Sequence, residues 1–113
     1  MTNDQMKATT QQQARQRIES PDGRKITQKE IAGVLGIPRS TADKMLRGVT
    51  RTPTHILVKL WRHYDVGPEL AVHWGRILSA RYIIRHPGAG GLDYEDRDAF
   101  RAYCDDYRKR GNK

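Results

Sequence analysis

The chain carries one cysteine, Cys104, one phenylalanine, Phe100, and no apolar run longer than three or four residues, as at Ile56-Leu57-Val58. A single thiol cannot close an intramolecular disulfide, so a disulfide-stapled secreted scaffold is excluded. The apolar runs fall far short of the ~20 residues that span a bilayer. Met1-Thr2-Asn3-Asp4-Gln5 holds neither a basic nor an apolar stretch, so no signal peptide is expected. Strand patterning is scarce as well, because no stretch alternates apolar and polar residues for long. His55, His63, His73 and His86 include no i,i+4 pair and have no cysteine pair beside them, so no metal site is expected. Gly88-Ala89-Gly90-Gly91 lacks the Lys-Ser/Thr that completes a phosphate loop and reads as a linker. Asp93, Glu95, Asp96, Asp98 and the pair Asp105-Asp106 have no catalytic partner beside them, and Cys104 sits within an aromatic stripe as a small core residue. No enzyme activity and no cofactor are expected.

What is abundant is positive charge. The 113 residues hold 21 Lys and Arg against 13 Asp and Glu, a net charge of +8, with only 36% hydrophobic residues. Such a composition supports one modest core and favours polyanionic partners. The charge is concentrated in the first part: Arg24, Lys25, Lys29, Arg39, Lys44, Arg47, Arg51, Lys59 and Arg62 are offset over the same stretch only by Glu30 and Asp43. The expectation is a cytoplasmic protein that meets a polyanion through residues 24–62, with no membrane association.

Helix signals recur between clear breakers. Thr9 or Thr10 can cap a polar helix through Gln11–Glu19, ended by Ser20-Pro21-Asp22-Gly23. Thr27-Gln28-Lys29-Glu30 is a capping box: the Thr27 hydroxyl accepts from the Glu30 N–H while the Glu30 side chain reaches back to the Thr27 N–H. Ile26 and Ile31 form the accompanying staple, and Ile31, Ala32 and Leu35 share a face. Gly36 suits a left-handed C-terminal turn, Ile37 plugs it, and Pro38 pre-sets the φ of a new first turn. The next helix turns Ala42, Met45 and Leu46 inward and ends at Gly48. A helix over 28–35, a turn over 36–38 and a helix over 39–47, with a small alanine at the crossing, is the spacing of a helix-turn-helix. A further helix follows Thr52-Pro53, another spans Glu69 to Arg85, and a last one starts after Asp93. The fold class is all-α: a helix-turn-helix bundle of four to five helices with a C-terminal two-helix extension.

The segment Ile26–Val66 resembles the Cro and phage-repressor (Xre-like) class of DNA-binding domains. The likeness rests on Thr27-Gln28-Lys29-Glu30-Ile31-Ala32, Leu35-Gly36-Ile37, Arg39-Ser40-Thr41 and the closing Leu57-Val58-Lys59-Leu60-Trp61-Arg62-His63-Tyr64-Asp65-Val66, within a domain expected over residues 1–67. Ala42 stands where that class usually has a larger β-branched residue and Trp61 where it usually has a small one, which suggests that the indole fills the volume the alanine leaves. The resemblance implies that the first turn of the third helix meets base edges through Arg39 and Ser40, then Asp43 and Lys44. Arg39 suits the N7 and O6 acceptors of guanine, and Asp43, four residues on, can hold the Arg39 fork or accept from a cytosine amino group. By position and charge, Gln28 at the start of the second helix, Thr41, and Arg47, Thr50 and Arg51 after the recognition helix are expected at phosphates, with Arg24, Lys25 and Lys29 as additions.

The extension, 68–113, offers Leu70, Trp74, Ile77 and Leu78 and then Phe100 and Tyr103 at helical spacing, more apolar face than the small first domain needs. A stripe of this kind packs on another helix, and it is expected to hold a homodimer. The extension is too short for an ordinary ligand-sensing domain, so no small-molecule ligand is expected. The functional expectation is a transcriptional regulator, a repressor bound to double-stranded DNA at an inverted repeat. The alternative is an antitoxin-like or inhibitor-associated interaction protein that autoregulates through the helix-turn-helix and covers Trp74 and Phe100 with a second protein.

Overall fold

The structure is a computed structural model that describes residues 10–88 and 97–111. The expectations placed on Thr9, Ala89, Gly90, Gly91, Asp93, Glu95 and Asp96 lie outside the described residues. Among those described, the chain forms six helices and no strand. They are α1 (10–15), α2 (Gln28–Leu35), α3 (Arg39–Arg47), α4 (Thr54–Tyr64), α5 (Pro68–Arg85) and α6 (Arg97–Gly111). None is long and apolar enough to cross a membrane.

The first helix ends earlier than its polar sequence suggests. It ends at residue 15, because residues 18–26 double back on themselves. Ile26 N–H donates to the Ile18 carbonyl at 3.0 Å and Ser20 N–H to the Arg24 carbonyl at 2.8 Å. The Ser20 hydroxyl meets the Asp22 carboxylate and accepts from Arg24 N–H at 3.2 Å, closing the turn. That turn buries both Ile18 and Ile26, which outweighs another turn of solvated helix.

The centre of the motif forms as its capping residues dictate. Glu30 N–H donates to Thr27 Oγ1 at 3.2 Å, and Ile26 and Ile31 are buried together in the core. Gly36 takes φ +65°, and Ile37 N–H reaches the Ala32 carbonyl at 3.0 Å. The reciprocal half of the box is not made. The Glu30 carboxylate turns away and accepts from Arg24 Nη1 at 2.6 Å and from the Tyr64 hydroxyl at 3.1 Å. Two partners, one of them charged, prevail over a single backbone N–H. Pro38 and Pro53 each occupy the cap position of α3 and α4, one residue before the first helical turn.

The extension is the largest departure. Trp74, Ile77, Leu78 and Tyr103, expected at a dimer interface, are buried in the chain's own core. They join Ile18, Ile31, Leu35, Ala42, Leu57 and Trp61 in one hydrophobic cluster that runs across the expected boundary at residue 67. Leu70 and Phe100 are half-buried against it. The stripe is consumed because α5 lies along the molecule and holds elements on several sides. Trp74 Nε1 donates to the Glu19 carbonyl at 2.9 Å, fixing the N-terminal turn. From α6, Tyr103 presents its hydroxyl to the carbonyls of Trp61 (3.1 Å) and Val66 (2.5 Å) at and beyond the end of α4. Trp61 is completely buried, with its ring 5.6 Å from Phe100 and 5.3 Å from Tyr103 between centroids. The large residue at position 61 is thus met by aromatic rings from α6.

Two substitutions separate local strain from packing. Gly36 has φ +65°, and a Cβ at that position would meet nothing within 4 Å. At Gly48, φ +81°, a Cβ would collide with the backbone carbonyl of Arg81. In chemical denaturation Gly36→Ala is expected to cost about 1–2 kcal/mol, the left-handed penalty alone. Gly48→Ala is expected to cost about 1–3 kcal/mol more, because the α5 backbone must move. Trp61→Ala is expected to lose about 3–5 kcal/mol in the same assay, as a truncated core aromatic does.

Candidate nucleic-acid interface

Helix α3 is held so that one side is buried and the other projects. Ala42 and Met45 face the core, while Arg39, Ser40, Thr41, Lys44 and Arg47 are exposed and Asp43 is half-buried. Arg39 and Lys44 have no ion-pair partner among the described residues. At its N-terminal end the helix has no side-chain cap, since Pro38 offers none. Its leading N–H groups are therefore available to an outside acceptor, with the positive end of the helix dipole behind them.

The C-terminal end of α3 is closed, and every one of its last four carbonyls can be accounted for. Lys44 O accepts from Val49 N–H at 2.9 Å, and Met45 O from Gly48 N–H at 3.2 Å. Leu46 O accepts from Arg81 Nη1 at 2.7 Å, and Arg47 O from Arg85 Nε at 2.8 Å. Two arginines of α5 thus finish the helix and place cations at its negative end. Arg81 also donates through Nε to Ala14 O (2.9 Å) and through Nη2 to Gln16 O (2.6 Å), so it ties α1 and the segment after it to α3. Burial lowers the Arg81 guanidinium from its usual pKa, a cost offset by these three carbonyls.

The sequence-expected contact residues divide between the two ends. Along α3, from Arg39 past Asp43 to Leu46, an open groove of about 560 Å³ gathers Gln28 and Lys29 with Arg15, Arg17, Lys25 and Arg81. Asp43 is its lone carboxylate, and it does not hold the Arg39 fork. It accepts instead from Arg47 Nε at 2.8 Å. Both arginines are four residues away, and the one on the C-terminal side wins, which leaves Arg39 exposed and without an ion pair among the described residues. Arg24 is likewise drawn off by Glu30 and is not part of the groove. Ser40, Thr41 and Lys44 stand exposed along α3 between the two ends.

Beyond Arg47, Thr50 and Arg51 are both exposed, and the Arg51 guanidinium lies 5.3 Å from the centroid of the Tyr82 ring on α5. Tyr82 stacks on His86 with centroids 4.1 Å apart, and His86 Nε2 is 2.9 Å from the Val49 carbonyl. Arg81, Tyr82, Arg85 and His86 were invisible to sequence reasoning at this site. Their partners lie more than thirty residues away, and an Arg81/Arg85 spacing of four announces a shared helix face without naming what it meets.

The ion pair that anchors the start of α2 makes stability depend on acid. The hydrogen bond from Arg24 holds the Glu30 carboxyl below the usual carboxylate range, with the Tyr64 hydroxyl adding to the effect and burial opposing it. A depressed folded-state value means that the contribution is present above that range and is lost as pH falls through it. Glu30→Gln is therefore expected to flatten the loss of melting temperature between about pH 5 and pH 3 relative to the parent chain. The parent and the variant losing stability equally over that range would show that the pair contributes nothing.

The helix-turn-helix family pattern matches residues 22–70. Neither curated proteins nor solved structures supplied a match. With the capped α2, the left-handed turn at Gly36 and the projecting α3 in place, residues 22–70 form a helix-turn-helix of the Cro/C1 type, which supports a DNA-binding regulator.

Proposed function

We propose that the protein is a sequence-specific repressor that inserts α3 into the major groove of an inverted-repeat operator as a homodimer and blocks transcription by occupancy. The observation that carries this reading is the exposed Arg39 at the open N-terminal end of α3, without an ion pair among the described residues, beside a groove whose charged lining residues among those described are cationic but for Asp43. A major groove is ~12 Å wide and admits such a helix. Arg39, Ser40 and Lys44 are the base-reading residues, with Asp43 orienting Arg47 rather than reading a base itself. Gln28, Lys29, Thr41, Arg47, Thr50 and Arg51 contact phosphates on either side.

Two copies on half-sites about one helical turn apart multiply the discrimination that one small reading head provides. Their pairing surface excludes Trp74, Ile77, Leu78 and Tyr103, which the monomer already covers, and retains Leu70 and Phe100, whose side chains are only half-buried. The burial of Trp74 likewise removes it as a landing site for a heterologous protein. Repression by simple occupancy fits a chain whose described helices are committed to one core, with no second core among the described residues.

Selection of bound DNA from a random pool tests all of this together, since it yields the sequence, the half-site spacing and the stoichiometry. Within the selected site, Arg39→Ala is expected to relax one base position by about 1–3 kcal/mol. Arg47→Ala is expected to weaken all sequences alike and to reduce the salt slope by about one. Recovery of no preferred sequence, or identical effects of the two changes, overturns the reading.

A further inference from the structure

The last turn of α5 stands at the C-terminal end of α3, and its chemistry is that of a phosphate site. Arg85 is exposed, and its Nε is committed to Arg47 O at 2.8 Å. That bond orients the guanidinium while its two Nη groups make no bond among the described residues. A planar fork held by one edge presents the other edge, two parallel N–H donors, in the geometry that a phosphate accepts. Because a backbone carbonyl has already ordered the side chain, less rotamer entropy remains to be lost on binding.

Beside it, Arg51 rests over Tyr82, Tyr82 stacks on His86, and His86 is bonded to Val49 O. This stack ties the loop after α3 to the same turn of α5. Asp43, the one carboxylate of α3, is already taken by Arg47. The surface is also poorly suited to a protein partner: Ile84 is the exposed large hydrophobic residue among those described, and a single exposed isoleucine is ordinary. Helix α3, with nine residues, is about 13 Å long, so its C-terminal end stands about one helix length from the Arg39 end. Cations at that end suit the backbone phosphates that flank the bases an N-terminal turn reads.

We infer that Arg85, braced by the Arg47 carbonyl, and Arg51, braced by the Tyr82–His86 stack, form a phosphate clamp through which the C-terminal extension takes part in DNA binding. The inference rests on the reading of α3 as a major-groove helix. It gives the extension a role in the DNA interface itself, distinct from any role in pairing two copies.

The test is the affinity for a pool-selected DNA at 50 and 200 mM salt, measured with the full chain, with a scrambled duplex beside it. Arg85→Gln and Arg51→Gln are each expected to lower the ratio of the two affinities by about 3.5-fold, the effect of one phosphate contact over that salt range. Each is expected to weaken selected and scrambled DNA by the same factor, and Arg85→Lys to recover most of the salt dependence. Circular dichroism identifies a variant that has failed to fold, and the other then decides the outcome. An unchanged ratio in a folded variant overturns the clamp, even while Arg39→Ala still relaxes a base position. Should the parent chain show no Arg39-dependent preference at all, the major-groove reading falls and the clamp falls with it.

Discussion

Every α-helix ends in carbonyls that its own backbone cannot satisfy, and in this protein the arrangement of the molecule follows from how those of α3 are met. Arg81 and Arg85 come from a helix more than thirty residues downstream to take Leu46 O and Arg47 O. For those guanidinium groups to arrive, the α5 backbone must pass so close to position 48 that only glycine fits. The same approach carries Arg81 to Ala14 and Gln16 and Trp74 to Glu19, so the N-terminal segment is secured by the helix that caps α3. Remove the close contact at Gly48 and the hold on α3, on α1 and on the turn at 18–26 loosens together.

One end of α3 is thus sealed and the other is open, and the asymmetry suits the proposed insertion into a groove. Donors at the N-terminal end face outward with Arg39, where a nucleic acid supplies acceptors. Acceptors at the C-terminal end would repel phosphates, and these are covered by cations instead. Asp43 contributes to the same division by engaging Arg47, so that the one acid lining the groove among the described residues is paired with a residue other than Arg39. Placement of charge, rather than its total, makes this face suited to a polyanion.

The expected two-helix extension exists, but its apolar residues serve a purpose different from the one their spacing suggests. A stripe of Trp74, Ile77 and Leu78 states that a face will be buried and is silent about what buries it. A partner chain and the rest of the same chain remove water from that face equally well. Here the short first domain could not close over Trp61 alone, and Phe100 and Tyr103 complete its enclosure. The polar pairings show the same ambiguity at shorter range. Asp43 has an arginine four residues away in each direction, and Glu30 has a backbone donor nearby as well as Arg24 and Tyr64. For Asp43 helical spacing makes both geometries accessible without ranking them, and for Glu30 the fold brings Tyr64 from 34 residues away.

By itself, the sequence determined what depends on neighbours along the chain. Thr27 starts α2, Gly36 and Gly48 end α2 and α3, and Ala42 makes room at the crossing, because caps, left-handed turns and steric bulk act within a few residues. Those local rules also put Arg39, Ser40 and Lys44 on the outer face of α3. Only the tertiary structure decided which arginine Asp43 holds, where Glu30 turns, which side chains close the core, and that α5 supplies the end of α3. These outcomes are contests between alternative partners, many of them tens of residues apart, settled by burial and by the geometry of approach, and no local spacing encodes them.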